Sequence, residues 1–275
     1  MSINQNKIAI LGCGWLGLPL AQKLIADGYV INGSTTDENK LEEIQSIGAN
    51  PFLINVNPKI NIDYDSSFFD ADILIVNIPP QRRTDIVLYH TQQFTELCHI
   101  ISKSNIRYVL MVSSTSVYPS NSKTMIETDA TSPDKDSGKA LVIAEKLISF
   151  LPNIKTTIVR FGGLIGYDRN PGRFLAGKTD LKDGNSPVNL IHRDDCLEII
   201  SELIKQDKWG ETFNACCDEH PTRKEFYSYA ALKFGFTEPL FAEQEKQNSY
   251  KIIDSSKLKN ELGYNFIYKN PLESI

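Results

Sequence analysis

No stretch of the 275-residue sequence approaches the roughly 18 consecutive apolar residues that a bilayer-spanning helix needs, so a membrane protein is not expected. The opening MSINQNKIAILG offers one lysine and a short apolar stretch that runs straight into glycines, which is not the layout of a secretory leader. Positive charge is also in short supply. Against 34 Asp and Glu stand 29 Lys and Arg, and the formal net charge of −5 disfavours nucleic acid or an anionic membrane as partner. The five cysteines, Cys13, Cys98, Cys196, Cys216 and Cys217, have no metal-knuckle spacing. Free thiols in a reducing cytoplasm are expected, with Cys217 a small buried hydrophobe in preference to a nucleophile. The histidines are isolated, so no metal site is expected. No Gly-x-Ser-x-Gly turn points to a hydrolase, and neither a repeat nor a low-complexity tract is found.

What is present is an ordinary globular balance, 41% hydrophobic and 23% charged. Short apolar runs read as strands: Lys7–Leu11, Tyr29–Gly33, Pro51–Asn55, Asp72–Ile78, Tyr108–Ser114 and Lys155–Phe161. Their continuous apolar character suits strands covered on both faces. Longer amphipathic runs between them, Leu16–Asp27, Lys40–Ile47, Thr84–Asn105 and Gly138–Leu151, read as helices. Thr84 is the expected N-cap of the third, and Gly28 and Gly48 sit where C-caps belong. Such alternation predicts an α/β fold, a Rossmann-type doubly wound parallel sheet. After Arg160 the chain turns rich in Gly, Pro, Asn and Asp, in a loop long enough to shape a ligand site. The expected division is a dinucleotide-binding domain over residues 1–165 and a smaller, loop-rich substrate lobe over 166–275, with 190–215 returning to the sheet. Within that second part, helices near Asp194–Lys205 and Thr222–Phe234 flank a strand near Thr212–Ala215. A strand and a short helix follow in KIIDSSKLKNELG, capped by Asp254 or Ser255.

Directly after the first strand and before the first helix stands Gly12-x-Gly14-x-x-Gly17. In that context the glycines have a mechanical meaning. Gly12 permits the sharp turn, Gly14 lets backbone approach a diphosphate, and Gly17 lets helix and strand pack closely. With Cys13, Trp15 and Leu16 they form a candidate cradle whose helix N-terminus offers N–H groups to an anion. At the end of the second strand Ser34, Thr35 and Thr36 stand where an acidic residue would select NAD, and Asp37 comes late. Hydroxyls there can donate to a 2′-phosphate, so NADP is favoured over NAD, with a plain polar turn as the other reading. Asn77, Ile78 and Pro79 in NIPPQRR form a wall at the carboxyl edge of the sheet.

The order of the glycine-rich turn, NIPP, SSTSVY, VRFGGLIG and LIHRDDC resembles the extended short-chain dehydrogenase/reductases, the nucleotide-sugar epimerase/dehydratase group. The closer resemblance, over nearly the whole chain, is to an atypical branch of that group. GWLG, PGRFLAGK and the KIID tail carry it. The resemblance implies NAD(P), hydride transfer, a Ser or Thr after the fifth strand, and a Tyr-x-x-x-Lys pair on the next helix. Anchored on Gly138 and Glu145 in DSGKALVIAEK, the pair falls on Ser137 and Leu141, so it is absent. Lys139 projects about 200° away from Ser137 on a helix and replaces neither. Ser114 matches the family's catalytic hydroxyl. Thr115 and Ser116 stand where dehydratases carry acids, which disfavours a sugar dehydratase. Tyr118 either supplies a replacement phenol or is a packed aromatic bonded to a backbone group.

In the second lobe Arg173, on the same loop as Lys178, could clamp an anionic substrate, or be solvated. His192 could contact substrate as an acid or base, or be structural beside a helix capped by Asp194 or Asp195. The function these residues imply is an NAD(P)-dependent oxidoreductase or epimerase on a small polar substrate such as a nucleotide sugar. The alternative is a non-catalytic NAD(P) sensor or partner-binding module. A homodimer through the helices at Thr84–Asn105 and Gly138–Leu151 is a further implication of the resemblance.

Overall fold

The computed structural model describes residues 7–61, 64–242 and 249–275. The leader reading of the first six residues therefore lies outside the described residues. Strand β1 (Lys7–Leu11) leads through the glycine-rich turn into α1 (Gly17–Ala26), and β2 (Val30–Thr35) into α2 (Leu41–Ser46). Next come β3 (Asn50–Leu53), β4 (Ile73–Val76), α3 (Ile86–Ile101) and β5 (Tyr108–Ser114). A short β6 (Lys123–Met125) precedes α4 (Asp136–Ser149) and β7 (Lys155–Phe161). Then follow β8 (Gly163–Ile165), α5 (Gly172–Leu175), β9 (Leu190–His192) and α6 (Arg193–Lys205). The remaining elements are β10 (Thr212–Ala215), α7 (Arg223–Lys233), β11 (Lys251–Ile253) and α8 (Ser256–Leu262).

Seven strands form one parallel sheet in the order β10-β7-β5-β4-β1-β2-β3, the doubly wound arrangement the alternation predicts. Its two-residue side-chain period builds two apolar layers. Ile8 and Ile10 of β1 pack into one layer with Leu20 and Leu24 of α1 and Ile199 and Leu203 of α6. Ala9 and Leu11 enter the other with Phe94 and Leu97 of α3 and Ala144 and Ile148 of α4. Burying each such Ile, Leu or Phe contributes about 1.5–3 kcal/mol against the entropy of ordering the chain. The carboxyl ends of β1, β4 and β5 are thereby fixed side by side. β10, paired with β7, is one edge strand and β3, paired with β2, is the other. The other late strands form two short parallel pairs, β11 with β6 and β8 with β9.

Local chemistry moves several expected boundaries. Helix α3 stops at Ile101, because the hydroxyls of Ser102 and Ser104 donate back to the carbonyls of His99 and Ile101 and end the helix before Asn105. At its start Asp85, not Thr84, holds the N-cap position, and its carboxylate is bonded to Arg83. Neither Asp194 nor Asp195 caps α6. His192 does, its Nδ1 accepting the Asp194 N–H at 3.2 Å. Asp195 accepts instead from the Tyr264 hydroxyl and the backbone of Ile267 and Tyr268, tying α6 to the C-terminal tail. Thr222 caps α7 in a reciprocal pair with Glu225. Among the described residues no helix is long and apolar enough to cross a membrane, and no His/Cys/Asp/Glu group could hold a metal.

Candidate functional site

The turn between β1 and α1 owes its path to three glycines in different ways. Gly12 sits at φ +107°, and a Cβ there would lie 2.6 Å from the Asn77 carbonyl. Gly17 faces the carbonyl of Gly12 so closely that any side chain would collide with it. Gly14 is the opposite case, with open space where its Cβ would point. The Asn77 side chain donates to the Gly12 carbonyl at 2.9 Å and pins the turn to the end of β4. Cys13 is buried, and its N–H donates to the Ser34 carbonyl at 2.7 Å. The amides of Gly14, Trp15 and Leu16 find no acceptor among the described residues, and no side chain caps α1. These are unpartnered donors at a helix N-terminus facing an open floor, the chemistry that suits a diphosphate.

The turn opens on a cleft of about 660 Å³ along the carboxyl edge of the sheet. Of the sequence-predicted residues, Gly12, Cys13, Gly14, Trp15, Leu16, Ser34, Thr35, Asn77, Ile78, Pro79 and Ser114 line it. Gly17 lies just behind the turn. At the β2 end the Ser34 hydroxyl accepts from the Gly12 N–H, and that of Thr35 accepts from the Asp37 N–H. The Asp37 carboxylate accepts from both the backbone and the side-chain amide of Asn39. Lys40 lines the same end and has no carboxylate partner among the described residues.

At the other end Ser114 closes β5. Its oxygen accepts the Ser116 N–H at 3.2 Å, which leaves its proton free to donate into the cleft. Beside it the cleft wall is Val112, Ser113, Leu141 and Phe161. Ser113 donates to Glu145 at 2.5 Å, and Glu145 is held in a buried two-pronged pair by Arg160. Leu141, where the resemblance led the sequence to expect a lysine, is part of this wall. Lys139 is exposed and paired with Asp136 at 2.9 Å.

Three predicted residues do not reach this cleft. Tyr118 has no accessible surface and donates to Asn214 Oδ1 at 2.5 Å while accepting from Arg160 at 2.8 Å. Burial pushes its phenol up to about 12, and of its two expected readings the packed aromatic fits this enclosure better than the replacement phenol. Its partners are side chains, not the backbone group expected. His192 is buried between Tyr167 and Tyr268 as the cap of α6, and burial holds its ring below the ordinary histidine range. Arg173 is exposed on α5, with its guanidinium 5.8 Å from the Phe236 ring centre. Conversely, the sequence reading missed Lys40, Gln93, Leu164 and Arg169 in the cleft wall. A basic residue just after the second strand was a readable signal for Lys40. Arg169 carried none, because its neighbour Trp15 is far away in the chain.

No protein-family model matches the chain. Among solved structures it is similar to UDP-N-acetylglucosamine 4-epimerase from Bacillus cereus, with a TM-score of 0.77 and 19% identity over 97% of this chain and 96% of that one. It is also similar to UDP-glucuronic acid 4-epimerase from Bacillus cereus in complex with NAD, with a TM-score of 0.75 and 20% identity over 98% and 96%. At those identities the likeness is one of fold. Protein YeeZ of Escherichia coli (strain K12) is 36% identical over 269 residues, 97% of this chain and 98% of the relative. With that identity along nearly its entire length, on the fold that the nucleotide-sugar epimerases share, the chain belongs to the YeeZ family.

Proposed function

We propose that the protein is an NADP(H)-dependent oxidoreductase working in the reducing direction on a small polar carbonyl compound, such as a keto-sugar carried on a nucleotide. The observation that carries this reading is the single cleft that begins at the unpartnered amides of Gly14–Leu16 and ends at the free proton of Ser114. When bound there, the nicotinamide would supply the hydride. Three further observations support the choice of NADP. No carboxylate ends β2, Asp37 is turned onto Asn39, and Lys40, with no carboxylate partner among the described residues, lines the same end of the cleft as Thr36, where its charge would suit a 2′-phosphate.

Proton chemistry supports this direction, because water protonates an alkoxide readily but is a poor base toward an alcohol. Ser114 can donate to a carbonyl oxygen and polarise it. Removing a proton from an alcohol needs a base, and the titratable residues lining the cleft are Cys13, Asp37, Lys40 and Arg169. Burial pushes the Cys13 thiol up to about 12, and the others line the cofactor end. Water entering the open cleft can protonate a reduced oxygen, whereas the Leu141 wall offers nothing to draw a proton away. An epimerase, which must both oxidise and reduce, is the weaker reading. A non-catalytic NADP(H) sensor is favoured by that same Leu141 and by the half-exposed Ser137.

The test is NADPH consumption across a panel of nucleotide keto-sugars and simple polar aldehydes, with product identified by mass. Turnover is expected, and Ser114→Ala should lower kcat by about 100-fold or more. Tight NADPH binding with no consumption anywhere on the panel would favour the sensor.

A further inference from the structure

The loop between β8 and α5, Gly166–Asn170, comes from the late part of the chain and crosses to the glycine-rich turn. Trp15, at the apex of that turn, donates its indole N–H to Asp168 Oδ1 at 2.6 Å. The Arg169 guanidinium lies 4.2 Å from the centre of the Trp15 ring and lines the cleft. Arg193, the first residue of α6, lies 4.8 Å from the same ring and donates to the Trp15 carbonyl at 3.3 Å. It also stacks 3.9 Å from the Tyr167 ring centre, and the Tyr167 hydroxyl donates to Asp194 at 2.8 Å.

The path of this loop is over-determined. Gly166 takes φ +119°, where a side chain would run into the His192 ring, and Tyr167 follows at φ +55° in the left-handed region. The Arg169 N–H closes the turn on the Gly166 carbonyl at 3.1 Å. A tyrosine held at positive φ is strained, and here stacking on Arg193 and His192 fixes it. The strain has a geometric consequence: it delivers Arg169 to the cleft beside the amides of Gly14–Leu16. Asp168 is engaged with Trp15, and Arg169 has no carboxylate within ion-pair distance among the described residues. A planar guanidinium lining the same cleft as three N–H groups without acceptors among the described residues is matched by an anion with several oxygens.

Resting on the dinucleotide reading above, we propose that Arg169 is a diphosphate clamp: the Gly166–Asn170 loop closes over the cofactor, and Trp15 is the plate that aims the guanidinium at its phosphate oxygens. The diphosphate of a nucleotide sugar has the same chemistry. The place of Arg169 beside the glycine-rich turn favours the cofactor's.

The sequence has two tryptophans, so Trp209→Phe leaves Trp15 as the only one and makes its fluorescence a report on this site. In that background three probes are titrated, with calorimetry alongside. They are NADP⁺, 2′,5′-ADP (which shares the 2′-phosphate but has no diphosphate) and UDP. Arg169→Ala should weaken NADP⁺ by about tenfold or more while changing 2′,5′-ADP by less than about threefold and leaving UDP unaltered. Arg169→Lys, which keeps the charge without the fork, should fall between. Equal NADP⁺ affinity in Arg169→Ala and its parent, or a loss confined to UDP, would overturn the clamp while leaving the dinucleotide reading intact. If the parent protein binds neither NADP⁺ nor NAD⁺, both readings fall together.

Discussion

Tyr118 is enclosed on all sides, with its hydroxyl held between Asn214 and Arg160. Removing the hydroxyl strands two buried partners, so Tyr118→Phe should lose about 1–3 kcal/mol of stability. Its NADPH affinity should stay at the parental value. Urea unfolding and calorimetry on the same preparation check both halves, and a stable variant with lost turnover would return Tyr118 to the chemistry. His90 makes a pH prediction. It has no accessible surface, its Nδ1 pairs with Gln93 Oε1 at 3.0 Å, and its Nε2 has no partner among the described residues. Burial lowers its pKa from the ordinary 6.5. Below pH 6.5 the unfolded chain therefore takes up a proton that the folded ring resists, and stability falls as the pH drops through this window. Burial lowers the His192 and His220 values as well, and these residues add to the same slope. The melting temperature should fall between pH 7.5 and 5.5, and less steeply in His90→Phe; equal slopes in variant and parent would show that this ring does not contribute.

At the scale of elements, the turn into α1 separates shape from binding. Gly17→Ala must push against the Gly12 carbonyl, so it should destabilise by about 1–3 kcal/mol. Gly14→Val meets nothing in the protein and should melt like the parent, yet its side chain would fill the floor of the cleft and weaken NADPH by about tenfold. Thermal melts and titrations of the two variants should therefore show opposite patterns. The turn was readable in the sequence because Gly17 answers to the Gly12 carbonyl five residues away, whereas the Asn77 contact that also requires a glycine at position 12 comes from far along the chain. Also readable were β5 and β7, whose apolar runs match the observed strands residue for residue. The cap of α6 was not readable, since an acidic pair at a helix start usually outcompetes a histidine. Here Asp195 is drawn away by Tyr264 and the tail, a pairing across some 70 positions that no local pattern announces. The place of Arg169 against Trp15 is hidden for the same reason. Leu141 was read from the sequence as standing where the resemblance implies a lysine, and the fold places it in the cleft wall.

At the scale of the whole molecule, two layers of core hold the strand ends that line the cleft, and a late loop completes its rim. Helices α3 and α4 pack together on one face of the sheet. Leu88 of α3 is 62% exposed, and Val142 and Ile143 of α4 are half-buried. The homodimer that the resemblance implies would bury this face. Sedimentation equilibrium should give twice the monomer mass, and Leu88→Glu should return it to the monomer; a monomeric parent would refute the dimer. The most direct measurement on the central claim is calorimetric titration of the purified protein with NADPH and with NADH. Saturable binding is predicted, tighter for NADPH, with Lys40→Ala removing most of that preference. The absence of heat from either nucleotide, at concentrations that saturate ordinary dehydrogenases, would contradict it.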